Sequence, residues 1–298
     1  MGDILERCTL CPRRCGVNRY EKAGFCGEKS AVRIARASLH HWEEPCISGS
    51  NGSGTVFFSG CVLKCCFCQN YEISAEGKGF AVTERELADI FIMLQDKGAH
   101  NINLVNPTHF VPQILKALEL TDGELKIPVV YNSGGYENPE TLELLRGRVG
   151  IFLPDLKYYD SGLSKKFSNA ADYFEKTSAA IKKMLEIAGK PMYDENGIMQ
   201  RGVIVRHLVL PNCRRDSAKL IEWLSSVFEK DEILVSVMSQ FTPVYKSFDF
   251  KELSRRTSTF EYNYVADLLE KSGFDGFCQR KSSADESFIP QFYGEKYF

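Results

Sequence analysis

Short apolar runs rich in β-branched and aromatic residues recur along the chain at 55–59, 102–105, 128–132, 151–156, 203–210 and 233–238. Segments with helical spacing lie between and after them, at 83–97, 110–120, 139–145, 171–188, 216–228 and 261–271. The first of these opens on Thr83-Glu84-Arg85-Glu86, a capping-box pattern, and stops at Gly98. Strand and helix thus alternate about six times, the pattern of βαβ units on a parallel sheet, which predicts an α/β fold. A doubly wound open sheet and a partial barrel both satisfy it. In either, ligands collect at the carboxyl ends of the strands, so chemistry is to be sought just after each apolar run. Before the fifth strand, Asn196-Gly197 predicts a β-hairpin turn.

The first fifty residues lack this rhythm and end in the Gly/Ser-rich stretch 48–54. The expected division is a small irregular cysteine-rich module at 1–50 and a larger domain at 51–298, the latter with a carboxyl-terminal extension. In 298 residues, 37 Lys and Arg face 39 Asp and Glu, so no excess of positive charge points to nucleic acid or an anionic membrane. No apolar run approaches the roughly 18 residues that span a bilayer. The acidic start, MGDILER, is unlike a secretory leader, and a cytoplasmic location is expected.

Cysteine changes the picture. There are 11, an odd number that cannot all pair, and eight fall into two groups: Cys8, Cys11, Cys15 and Cys26, then Cys61, Cys65, Cys66 and Cys68. In a reducing compartment such groups read as metal ligands. Cys61-x3-Cys65-x2-Cys68 directly follows the first predicted strand. Three thiolates can hold three irons of a cubane cluster and leave the fourth open to substrate or cofactor, whereas structural zinc wants a fourth protein ligand. Cys66 reads as a spectator.

These residues resemble the radical S-adenosylmethionine (SAM) superfamily, whose motif is C-x3-C-x-aromatic-C after the first barrel strand; Cys61, Cys65, Phe67 and Cys68 match it. The resemblance implies a partial (β/α)6 barrel and a 4Fe-4S cluster whose open iron binds SAM, with Phe67 near the adenine. It implies an oxygen-sensitive oxidoreductase fed by flavodoxin or ferredoxin. Such an enzyme cleaves SAM to a 5′-deoxyadenosyl radical, which takes hydrogen from a protein or small-molecule substrate.

Segments 153–157 and 205–211 are further similar to pyruvate formate-lyase activating enzymes, which activate glycyl radical enzymes. In that family the lysine and arginine at the positions of Lys157 and Arg206 contact SAM; the alternative is a salt bridge on the barrel rim. After the second strand the family carries Gly-Gly-Glu, whereas this chain has Asn106-Pro107-Thr108-His109. Asn106 and His109 are therefore candidate cofactor contacts by position, a backbone-bonded histidine being the alternative for His109. Gln240 stands where the family places a histidine and is a candidate for the ribose. Asn132, Ser133 and Asp155, with the Leu153 carbonyl, match a monovalent cation site, against which stands a simple Asp155 to Lys157 pair.

Cys8-x2-Cys11-x3-Cys15-x10-Cys26 supplies four thiolates in a segment too short and polar to build a core. A second metal, zinc or iron-sulfur, would stabilise it. The rival to an enzyme is a non-catalytic iron-sulfur electron carrier or metal-binding module, for which a fourth ligand closing the first cluster would be needed.

Overall fold

Parallel strands buried on both faces need nearly continuous apolar sequence, and the six apolar runs supply it. In the computed structural model, which describes residues 3–278, the strands are β1 (Val32–His40), β2 (Ser53–Phe58), β3 (Phe80–Val82), β4 (Ile102–Val105), β5 (Val129–Ser133), β6 (Ile151–Pro154), β7 (Met192–Tyr193), β8 (Met199–Leu208), β9 (Leu234–Met238) and β10 (Gly276–Cys278). The sheet order is β10-β9-β8-β6-β5-β4-β2-β1-β3. From β2 through β4, β5, β6 and β8 to β9 every pairing is parallel, the arrangement of a partial barrel.

The helices are α1 (Pro45–Ser48), α2 (Tyr71–Ser74), α3 (Glu84–Asp96), α4 (Val111–Leu120), α5 (Pro139–Glu143), α6 (Ser161–Ser168), α7 (Tyr173–Ala188), α8 (Arg214–Val227) and α9 (Thr259–Ser272). The capping box at Thr83 and Glu86 starts α3, satisfying two backbone donors that would otherwise lack partners. One face of the sheet, with Val56, Phe58, Leu104, Phe152, Val205 and Val237, packs on Leu87, Phe91, Ile114, Ile181, Leu220 and Val265 of the helices. Each fully buried side chain of this size is worth about 1.5 to 3 kcal/mol.

The other face turns inward. Val130, Ile151, Leu153, Ile204 and Leu234 enclose Cys46 and Ile47 of α1, which plugs the amino-terminal end of the barrel. Further along β5, β8 and β9, just past the end of β6, and on neighbouring β4, the inward positions are polar: Asn132, Arg206, Ser236, Asp155 and Asn103. Asn196-Gly197 does form the hairpin joining β7 to β8, with Gly197 at φ +76°.

β1 and β3 lie outside the six-run pattern. β1 runs antiparallel to β2, so the sheet begins within residues 1–50, and the stretch without helix or strand is 3–31. A register shift between Ile34 and Arg36 interrupts the alternation by which a strand is recognised. The last part of the expected 51–298 domain, 279–298, lies outside the described residues. No described helix is long and apolar enough to cross a membrane.

Candidate active site

The motif loop leaves the carboxyl end of β2 through Ser59 and Gly60. Gly60 has φ +78°, and a Cβ there would meet the Glu28 Cγ at 2.5 Å and the Cys26 carbonyl oxygen at 2.8 Å, so glycine is required. Each motif sulfur accepts a hydrogen bond: Cys61 Sγ from the Leu63 N–H at 3.3 Å, Cys65 Sγ from Ser168 Oγ at 2.9 Å, and Cys68 Sγ from Ser74 Oγ at 3.2 Å. Cys66 instead donates its backbone N–H to the Phe167 carbonyl at 2.8 Å. Val62, Leu63 and Phe67 pack with Tyr136, Tyr158, Phe167 and Phe241 into an apolar wall that backs the loop, while Cys61 and Cys68 stay partly exposed. Phe67 meets Phe241 edge-on, with centroids 5.9 Å apart.

Burial pushes the Cys65 thiol up to about 12, so only a bound cation would deprotonate it at neutral pH. Among the described residues no three Cys, His, Asp or Glu side chains stand grouped to hold a metal as they are. The loop thiols would therefore have to rotate inward on loading. The donor set nevertheless fits an iron-sulfur cluster: three soft sulfurs, each facing a hydrogen-bond donor of the kind that tunes such clusters.

Two residues after β4 hold the entrance to this loop. Asn106, at φ +61°, donates its Nδ2 to the Gly60 carbonyl. His109 Nε2 lies 2.6 Å from the Ser59 carbonyl oxygen. Burial pushes the His109 imidazole down to about 3, so it is neutral and donates through Nε2–H, while Nδ1 has no partner. His109, expected among the cofactor contacts, is instead buried beneath the loop, because its ring is needed to satisfy a backbone carbonyl there.

After β6 and along β8 the sheet register brings Asp155 opposite Arg206 in a parallel bridge. Arg206 donates Nε to Asp155 Oδ1 at 3.2 Å, one terminal nitrogen to Glu43 Oε2 at 3.1 Å and the other to Asn132 Oδ1 at 2.5 Å. Lys157 Nζ reaches Asp155 Oδ2 at 2.5 Å. Burial opposes the charge on Asp155, yet Lys157 and Arg206 overcome it and hold the carboxyl below its usual range. Of the oxygens matched to a monovalent cation site, Asn132 Oδ1 and both Asp155 oxygens are thus turned to side-chain cations, while Ser133 Oγ accepts from the Gly135 N–H at 3.2 Å. The Gln240 carbonyl accepts from Gln69 Nε2 at 3.3 Å at the end of β9.

Three residues of the site were not foreseen. Glu43 enters the barrel from the turn before α1 and accepts Asn103 Nδ2 at 3.0 Å as well as Arg206. Its neighbour Glu44 is buried near Ser236, with Oε2 unpartnered and the carboxyl raised by that burial. Glu137, fully buried, accepts Thr108 Oγ1 at 2.6 Å and the Tyr131 hydroxyl at 3.2 Å, and burial lifts its carboxyl to about 7. The only sequence signal for the first two is Pro45 at the start of α1, which marks a helix but not its inward direction. Two surface clefts lie elsewhere, one along α3 and α4 and one by the amino ends of β5 and β8.

The model of the radical SAM superfamily matches residues 55–200, from β2 to the start of β8. An uncharacterized protein of Methanocaldococcus jannaschii is 32% identical over 285 residues, covering 92% of this chain and 77% of that protein. Among solved structures, methylornithine synthase superposes with a TM-score of 0.50 at 16% identity, over 73% of this chain and 68% of that one, and shares the fold. A domain of a pyruvate-formate lyase-activating enzyme from Bacteroides vulgatus ATCC 8482 gives a TM-score of 0.37 at 13% identity, over 66% of this chain and 91% of that domain, a likeness too slight to bear on activity.

Proposed function

This chain belongs to the radical SAM superfamily, and we propose that Cys61, Cys65 and Cys68 hold the 4Fe-4S cluster while Lys157 and Arg206 receive the carboxylate of SAM. A 4Fe-4S cluster held there would, once reduced by an external one-electron donor, supply the electron for reductive cleavage of SAM and so the radical chemistry by which a substrate would lose hydrogen. The observation that carries this reading is the set of three hydrogen-bonded sulfurs on the loop at the end of the first parallel strand.

The chain's own share is positional. Leu63, Ser168 and Ser74 place hydrogen-bond donors against the three sulfurs. Asn106 and His109 fix the backbone from which the loop springs. Asp155 aligns two cations side by side, and a carboxylate arriving between them would meet the fork of Arg206 and the ammonium of Lys157 without their having to be ordered first. The aromatic wall of Phe67, Tyr136, Phe167 and Phe241 shields the loop from water on the side it backs.

The electron donor that fits this chemistry is a flavodoxin or ferredoxin, and the setting that fits an oxygen-sensitive cluster is a cytoplasm kept free of oxygen. Activation of a glycyl radical enzyme is the finer reading, supported by the likeness of 153–157 and 205–211 to activating enzymes. Anaerobic reconstitution with dithionite tests the whole. Formation of 5′-deoxyadenosine is expected, lost in Cys61→Ala, Cys65→Ala and Cys68→Ala and kept in Cys66→Ala. Undiminished cleavage in Cys61→Ala would overturn the assignment. A glycyl radical doublet in a co-purifying partner, seen by electron paramagnetic resonance, would support the finer reading, and transfer to a small metabolite would replace it.

A further inference from the structure

The four amino-terminal thiols lie where a metal would hold both their own segment and the motif loop. Residues 3–31 form no helix or strand, and the apolar cluster of their own is small: Leu5, Cys8 and Leu10, flanked by Ile4 and Val17. A segment of this size needs a staple. No disulfide provides one, since Cys8, Cys11, Cys15 and Cys26 are all free thiols, the first, second and fourth buried. Backbone bonds nevertheless fold the four together. The Gly16 N–H donates to the Cys8 carbonyl and the Cys8 N–H to the Val17 carbonyl, both at 3.0 Å, while a turn from Cys11 to Arg14 reverses the chain between them. Cys15 Sγ and Cys26 Sγ lie 3.3 and 3.6 Å from the point where Gly24 would carry a Cβ, so the missing side chain leaves room for sulfur.

The same segment is fastened to the motif loop. The Cys26 carbonyl accepts the Cys61 N–H at 3.0 Å, joining one cysteine of each group by a single hydrogen bond. Arg13 donates to the Val62 carbonyl at 2.8 Å and to the Ser168 and Asn169 carbonyls at 3.3 and 2.5 Å. Arg19, wholly buried, donates to the carbonyls of Lys29 and His109.

We propose that Cys8, Cys11, Cys15 and Cys26 form a second, all-thiolate metal centre, taking zinc or an iron-sulfur cluster, and that this centre braces the loop of Cys61, Cys65 and Cys68. Four thiolates satisfy either metal, and loading releases the thiol protons. As with the motif thiols, the four would have to rotate onto a common centre.

Two experiments on the full chain test this. The triple variant Cys61→Ala/Cys65→Ala/Cys68→Ala, purified without oxygen, should retain about one zinc, or about four irons with matching sulfide, per chain by elemental analysis. Finding neither, or a mass loss of about two daltons from a disulfide, overturns the site. In Cys11→Ser with the motif intact, iron held by the motif loop should fall by about tenfold, with a changed paramagnetic spectrum on adding SAM. Unchanged iron and spectrum would overturn the bracing. Should Cys11→Ser fail to fold, the triple variant still decides whether the site exists.

Discussion

Deleting Arg206 would leave Glu43 and Asp155 facing each other in a lumen where their side chains are only 11% and 18% exposed. An unpaired buried charge costs about 3 to 5 kcal/mol, so Arg206→Ala is expected to lose that much stability in denaturant unfolding, besides losing SAM affinity in equilibrium binding. Lys157→Met should cost less, because Arg206 remains on Asp155. Arg206 was singled out by the resemblance of 205–211 to activating enzymes, but Glu43, 163 residues away, carried no signal, since only the folded topology brings the two together. A second residue gives a pH signature. Burial raises the Glu137 carboxyl from 4.5 to about 7, so the folded state holds this proton more tightly than the unfolded chain. Stability from this group is therefore fully present below about pH 4.5 and lost as pH climbs to about 7, a loss of about 3 kcal/mol at most. Glu137→Gln should flatten that part of the stability curve and raise the midpoint at pH 8. A curve with the same slope in both proteins would show that Glu137 does not titrate in this range.

Helices α3, α4, α5, α7, α8 and α9 and the six parallel strands were legible because their burial is one-sided for the former and two-sided for the latter, and both leave regular marks, whereas α1, α2 and α6, of four, four and eight residues, were not. β3 and β10, of three residues each, are too short to leave one, and β1 hides behind its register shift. The turn after β4 shows how an element end serves the site. Asn106 combines a left-handed backbone with a side-chain bond to Gly60, two roles that substitution can separate. Asn106→Ala should cost about 1 to 2 kcal/mol from backbone strain and about 0.5 to 1.5 kcal/mol from the lost bond, whereas Asn106→Gly relieves only the strain. Thermal unfolding should thus rank wild type above Asn106→Gly and Asn106→Gly above Asn106→Ala. Iron retention after gel filtration should fall in both. Full retention in Asn106→Gly would mean that the bond does not steady the loop.

At the scale of the whole molecule, the motif loop was placed correctly at the end of the first parallel strand because alternation of strand and helix fixes where strand ends gather. The docking of residues 3–31 against that loop was not legible, since it runs through the backbone carbonyls of Cys26, Val62, Ser168 and His109, which carry no residue-specific signal. The plug formed by α1 has a further consequence. With Cys46 and Ile47 seated among Val130, Ile151, Leu153 and Ile204, the lumen is a cup rather than a pipe. Traffic past the amino ends of the strands is shut off, so whichever ligand sits deeper must enter before, and leave after, the one nearer the strand ends. Steady-state kinetics should accordingly be sequential and ordered, with the outer product released first. Widening the floor with Ile47→Ala should leave the order of addition intact while enlarging the cup, making the depth of the plug a determinant of how long a substrate can be.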